Sequence, residues 1–262
     1  LGNLCLPCHM LPFNRCRSWL VQQGRRTISA VRLETSSNEL RVVDHTVYSA
    51  LPSFEVATGK YNAMPLSKQA AILHGARDIL IRSSIATDIA IDIKHTHFPI
   101  PDEHILVEVQ REDSRESIMK PMLQDINKNV TPFAFHFHNG RWAPYEFVTN
   151  CPVADARLDV VSSKPWFLQE LKEWFQSHDA LDIFGFHVLH RDHIGGELGG
   201  TIETPGAAED ELLIRPCSSF DDHDSEQESQ QVMWMWKDLP VPRPPMPLPR
   251  PMPPSGGTIF PS

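Results

Sequence analysis

Cysteine is scarce in this chain and poorly placed for crosslinking. Of five, Cys5, Cys8 and Cys16 fall in the first sixteen residues, leaving Cys151 and Cys217 for the rest. That usage excludes a disulfide-built secreted framework and suits a reducing compartment. Long apolar runs are missing too. No stretch approaches the roughly 18 to 20 residues of a membrane-spanning helix, so no membrane span is expected. Basic residues are in deficit, 24 Lys and Arg against 33 Asp and Glu, and the formal charge of -9 argues against general nucleic-acid binding, which rests on clustered cations. There is no G-x-S-x-G elbow, and "GGELGG" at 195–200 has neither the lysine of a phosphate loop nor a dinucleotide fingerprint.

What is present divides into three parts. Residues 1–38 form a basic tail or presequence: Arg15, Arg17, Arg25, Arg26 and Arg32 meet no acid before residue 34, so the remainder carries -14. An Arg-rich, acid-free start with interspersed apolar residues is what an import sequence looks like. The expected location is mitochondrial if Met10 is the true start and cytoplasmic otherwise. Residues 39–236 read as a single α+β domain, long enough to bury one substantial core. Residues 237–262 are a Pro-rich tail, with nine prolines between Leu239 and Pro254. That segment, 239–254, favours an extended polyproline conformation and is a candidate ligand for a polyproline-binding domain.

Within the domain, Pro65 opens a helix expected over 66–83, with Leu66, Ala70, Leu73, Arg77 and Leu80 as its stripe. A second is expected in "SSKPWFLQELKEWFQSH", capped by Ser163. Alternation marks strands at "TDIAIDI" and "HILVEVQ". Asn139-Gly140 between two alternating runs predicts a type I′ hairpin in which His138 faces Arg141, Phe137 faces Trp142, His136 faces Ala143 and Phe135 faces Pro144. One face would then hold Phe133, Phe135, Phe137, Trp142 and Pro144, and the other His136, His138, Arg141 and Tyr145. Further strands are expected at "ALDIFGFHVLH", "GTIET", "ELLIR" and "QVMWMW". The expected fold is α+β, with a largely antiparallel sheet and two principal helices.

Histidines concentrate where chemistry could reside. "VLHRDHIGG" resembles the metal-binding loop of the metallo-β-lactamase superfamily, where a strand runs into His-x-His-x-Asp-His and a Gly-Gly pair. His190, Asp192, His193, Gly195 and Gly196 match that pattern, while Val188 stands in place of its first histidine. The resemblance implies one or two zinc ions held by His190, Asp192 and His193, with Asp192 also supporting a metal-bound hydroxide in hydrolysis. Only 69 residues follow His193, short of what the family needs for its remaining ligands. His136, His138, Arg141 and Tyr145, sharing a strand face, form a candidate ligand-binding set that suits an anion. The leading expectation is a protein that binds a small molecule or a protein partner. The alternatives are a histidine-dependent metalloenzyme using zinc or iron and an interaction protein acting through its Pro-rich tail.

Overall fold

Asn139 and Gly140 both take positive φ, 48° and 85°, as a type I′ turn requires. The flanking strands pair His138 with Arg141, Phe137 with Trp142, His136 with Ala143 and Phe135 with Pro144, in the register that the turn dictates. This is a computed structural model, and it describes residues 39–111, 114–124, 129–192, 194, 201–216 and 232–236. The basic tail at 1–38, His193, Gly195, Gly196 and the Pro-rich tail at 237–262 lie outside the described residues.

Among the described residues nine strands form one sheet: β1 (Ile89–Ile93), β2 (His104–Arg111), β3 (Glu116–Leu123), β4 (Val130–His138), β5 (Arg141–Thr149), β6 (Phe184–Val188), β7 (Thr201–Pro205), β8 (Leu212–Pro216) and β9 (Met233–Trp234). Their spatial order is β7-β8-β3-β2-β5-β4-β6-β1-β9. All neighbours are antiparallel except β2 and β5. The Tyr145 hydroxyl donates to Asp92 Oδ2 at 2.7 Å, although β5 and β1 are three strands apart. In a flat sheet that separation would be roughly 14 Å, so the sheet curls and these side chains meet on its concave face.

Irregular register past the hairpin changes which residues reach that face. Phe135 pairs with Pro144, Ala134 with Glu146 and Pro132 with Phe147, so Tyr145 and Phe133 are each the extra residue of a bulge. A bulge reverses the alternation beyond it. Phe135 stacks on Phe186, whereas Phe133 lies against the rings of His187 and His190. Phe133 therefore sits on the opposite face from Phe135, correcting the single apolar surface expected of Phe133, Phe135 and Phe137. The same irregularity lets Tyr145 and Glu146, consecutive in sequence, both serve the concave side.

The described residues hold five α-helices rather than two principal ones: α1 (Thr46–Ser49), α2 (Phe54–Asn62), α3 (Leu66–Arg82), α4 (Pro152–Ser162) and α5 (Pro165–Ser177). Ser163 ends α4, and Lys164 precedes Pro165 at the start of α5 without a side-chain cap. The buried side of α3 is Gln69, Ile72, Ala76, Ile79 and Leu80, while Leu66 is 81% exposed. The burial stripe is rotated from the expected one because α3 packs against α5 through Gly75. A β-carbon there would overlap the Trp174 indole, whose nitrogen donates to the Ile72 carbonyl at 3.0 Å. Phe167, Leu171 and Phe175 of α5 close the core over Phe184 and Phe186. Among the described residues no helix is long and apolar enough to cross a membrane.

Candidate functional site

Acids in the middle of apolar strands are the first unusual feature. Asp92, Glu108 and Glu146 are all buried, and such residues seldom are without partners. Glu108 Oε2 receives His190 Nε2 at 3.0 Å and Arg191 Nε at 2.9 Å. Arg191 reaches on to Glu203 Oε1 at 3.2 Å. His97 Nδ1 stands 3.7 Å from the other Glu203 oxygen, and His97 Nε2 donates to Glu146 Oε1 at 3.0 Å. Five segments distant in sequence are thus joined through charge: β2, the turn after β6, β7, the turn after β1, and β5.

The electrostatics follow from this pairing. Burial alone would raise the Glu108 carboxyl, but Arg191 and His190 outweigh it and hold the group well below the usual range. Glu203 is likewise lowered by His97 and Arg191 against the effect of burial. His97 is raised: burial opposes its charge, but the Glu146 hydrogen bond and the charge of Glu203 prevail. Beside it His95 is lowered by burial and by His97, and its Nδ1 lies 2.7 Å from the Ile93 carbonyl.

A second buried polar group is formed around Asp92 and His136. Burial pushes Asp92 up to about 7, against the hydrogen bond from Tyr145 and with a contribution from Glu146. His136 is pushed down to about 3, by burial and then by Lys94 and His138. Neither nitrogen of His136, nor Asp92 Oδ1, has a hydrogen-bond partner among the described residues. The Val47 carbonyl, outside close hydrogen-bond geometry, is the last of the influences on the His136 ring and favours its charged form. Gly185 leaves room for Asp92, since a β-carbon there would lie 2.9 Å from Asp92 Oδ1 and collide with the Phe135 carbonyl.

Of the residues singled out from sequence, His136 keeps both Tyr145 and His138 beside it, the His138 ring 5.3 Å away, while Arg141, His190 and Asp192 lie in other settings. His136 and Tyr145 share the concave interior, with rings 5.6 Å apart. His138 is half-buried and accepts from Asn139 at 2.9 Å, while Arg141 turns towards Asp44 at 3.7 Å. His190 is buried with both nitrogens facing oxygens, Nε2 on Glu108 and Nδ1 on the Val188 carbonyl at 3.1 Å. Asp192 is exposed and paired with Arg157 at 2.9 Å. Among the described residues no three His, Cys, Asp or Glu side chains are grouped to hold a metal ion. Glu108, Glu146, Glu203 and Arg191 were not singled out, although an acid flanked by apolar strand residues, as in "LVEVQ" and "PYEFV", is the available signal.

An opening lies against this network at His97. A cleft of about 370 Å³ lies between α1, the start of α2 and the turn at 96–100, lined by Tyr48, Ser49, Phe54, Glu55, His97 and Phe98 among others. The Tyr48 hydroxyl fixes the turn, accepting from the His97 amide at 2.9 Å and donating to the Phe98 carbonyl at 3.1 Å. Thr96 N–H donates to the Pro52 carbonyl at 2.8 Å. The His97 side chain, 9% exposed, carries the cleft wall into the buried charges. Comparison with protein-family models, curated proteins and solved structures finds no match.

Proposed function

We propose that this is a small-molecule-binding protein whose site is the cleft over His97. The observation that carries the reading is that a cleft of ligand size has among its lining residues a histidine, His97, whose side chain is held by Glu146. Such a side chain is held rigid before any ligand arrives, which reduces the ordering cost of binding. Both His97 nitrogens are turned towards carboxylates, so the ring offers shape and field rather than a nitrogen free for proton transfer. Binding is favoured over catalysis on that ground.

The test is a fragment screen by ligand-observed NMR on the full chain and on Ser49→Trp. Ser49 lies on the exposed rim, so the indole should block the cleft without disturbing the core. Fragments are expected to bind the wild type and not the variant, at unchanged Tm. Absence of binders, or binders indifferent to Ser49→Trp, would remove this site.

A further inference from the structure

The cleft's chemistry also selects among ligands, an inference that rests on the binding reading above. We propose that it takes an organic ammonium, a protonated amine carried on a small apolar body.

The aromatic residues Tyr48, Phe54 and Phe98 are among those that line the cleft, Phe54 the most exposed of them and Tyr48 buried, and the negative face of an aromatic ring attracts a cation. Glu55 supplies the charge. It is exposed at the rim, and its own amide and the Ser53 side chain hold its carboxyl below the usual range. No Lys or Arg is among the lining residues, and among the described residues Glu55 forms no ion pair. His95, the titratable neighbour acting on it, is driven towards its neutral form.

An anion would find little here. His97 is the lining residue able to carry positive charge, and both its nitrogens face Glu146 and Glu203. The amides at the start of α2 would ordinarily welcome an anion, but Ser53 already caps Val56 N–H at 3.4 Å and Glu55 places a negative charge in the same first turn. A cation meets a carboxylate among aromatic lining residues, whereas a carboxylate ligand meets Glu55 and no Lys or Arg.

The test uses three probes of similar body and different charge: phenethylamine, 2-phenylethanol and 3-phenylpropionate, titrated by ligand-observed NMR against wild type, Glu55→Gln, Phe98→Leu and Ser49→Trp. The amine should bind about five- to tenfold more tightly than the alcohol, as one exposed ion pair and one cation–π contact together allow, with the acid weakest. Glu55→Gln should bring amine and alcohol within about twofold, and Phe98→Leu should weaken the amine more than the alcohol. If the acid equals the amine, if the preference survives Glu55→Gln, or if none of the three binds while other fragments occupy the cleft, the ammonium assignment fails and the cleft stands. Probe binding that persists in Ser49→Trp, or no binding by any fragment, overturns the cleft itself.

Discussion

Glu108 and His190 meet at 3.0 Å with neither side chain exposed to solvent, and Arg191 Nε shares the same carboxylate oxygen at 2.9 Å. Removing the acid leaves two donors buried without their partner, which is costlier than losing the attraction alone. Glu108→Ala should therefore destabilise the fold by about 3–5 kcal/mol, read from urea unfolding at pH 7. In a double-mutant cycle with His190→Leu the two costs should fall short of additivity by about 1–3 kcal/mol. Additive costs, or a loss below about 1 kcal/mol, would show that the pair is not the tie it looks to be.

Asp92 should impose a pH dependence of its own. Its carboxyl is raised to about 7, first by burial, from an unfolded value near 4. A group raised on folding contributes stability that is complete below the unfolded value and is lost as pH rises through the folded one. Asp92→Asn is neutral throughout and escapes that loss. Relative to wild type, the variant should gain about 2–3 kcal/mol between pH 5 and pH 8, measured by denaturant unfolding at each pH. A pH-independent difference would mean that Asp92 is ionised in the fold as readily as in water.

His136 carries the opposite slope. Its value falls to about 3, with burial the main cause, so its contribution is present above about 6.5 and is lost as pH falls towards 3. Between about pH 4 and 6.5 the two groups partly cancel in the wild type, and only variants separate them. His136→Leu also removes two buried nitrogens that make no close hydrogen bond among the described residues. The substitution should stabilise the protein by about 1–3 kcal/mol at pH 7 and flatten the decline on the acid side, both visible as shifts of the urea midpoint. Lower stability at pH 7 would mean that this ring holds a partner worth keeping.

The hairpin was legible because a two-residue turn fixes register locally: Asn139-Gly140 sets His136 opposite Ala143 without help from the rest of the fold. His136 and Tyr145 could be placed on one face for the same reason. The bulges at Phe133 and Tyr145 could not, because they depend on how β4 and β5 meet β6 and β2, and alternation carries no record of a slipped pair. Helix α2 escaped notice since Phe54–Asn62 has Gly59 in its interior and leaves Phe54 and Val56 exposed. Strand β3 was hidden by Lys120 and Pro121, which break its alternation. The charge network was the least legible part. Glu108, His190, Glu203, His97 and Glu146 converge only once the sheet curls, and no single segment shows which acid meets which base.

The turn after β6 offers the sharpest test of what its His-Arg-Asp run does. Arg157 of α4 donates to the Leu189 carbonyl at 2.7 Å and, through its fork, to both oxygens of Asp192 at 3.3 and 2.9 Å, with Asp88 a further 3.6 Å contact. Asp192 on this geometry is a tether that holds the turn against α4 and so positions His190 and Arg191 over Glu108. Arg157→Ala should cost about 1–2 kcal/mol, near the lower range for hydrogen bonds to charged groups because Asp192 is exposed. It should also speed hydrogen exchange at the Leu189 and Ile194 amides, which bond to the Asp88 and Arg191 carbonyls. Arg157→Lys keeps the charge but lacks the planar fork that spans a carboxylate and a carbonyl together, so it should restore little of the exchange protection. If lysine restores wild-type protection, the turn is held by charge alone and the fork is incidental.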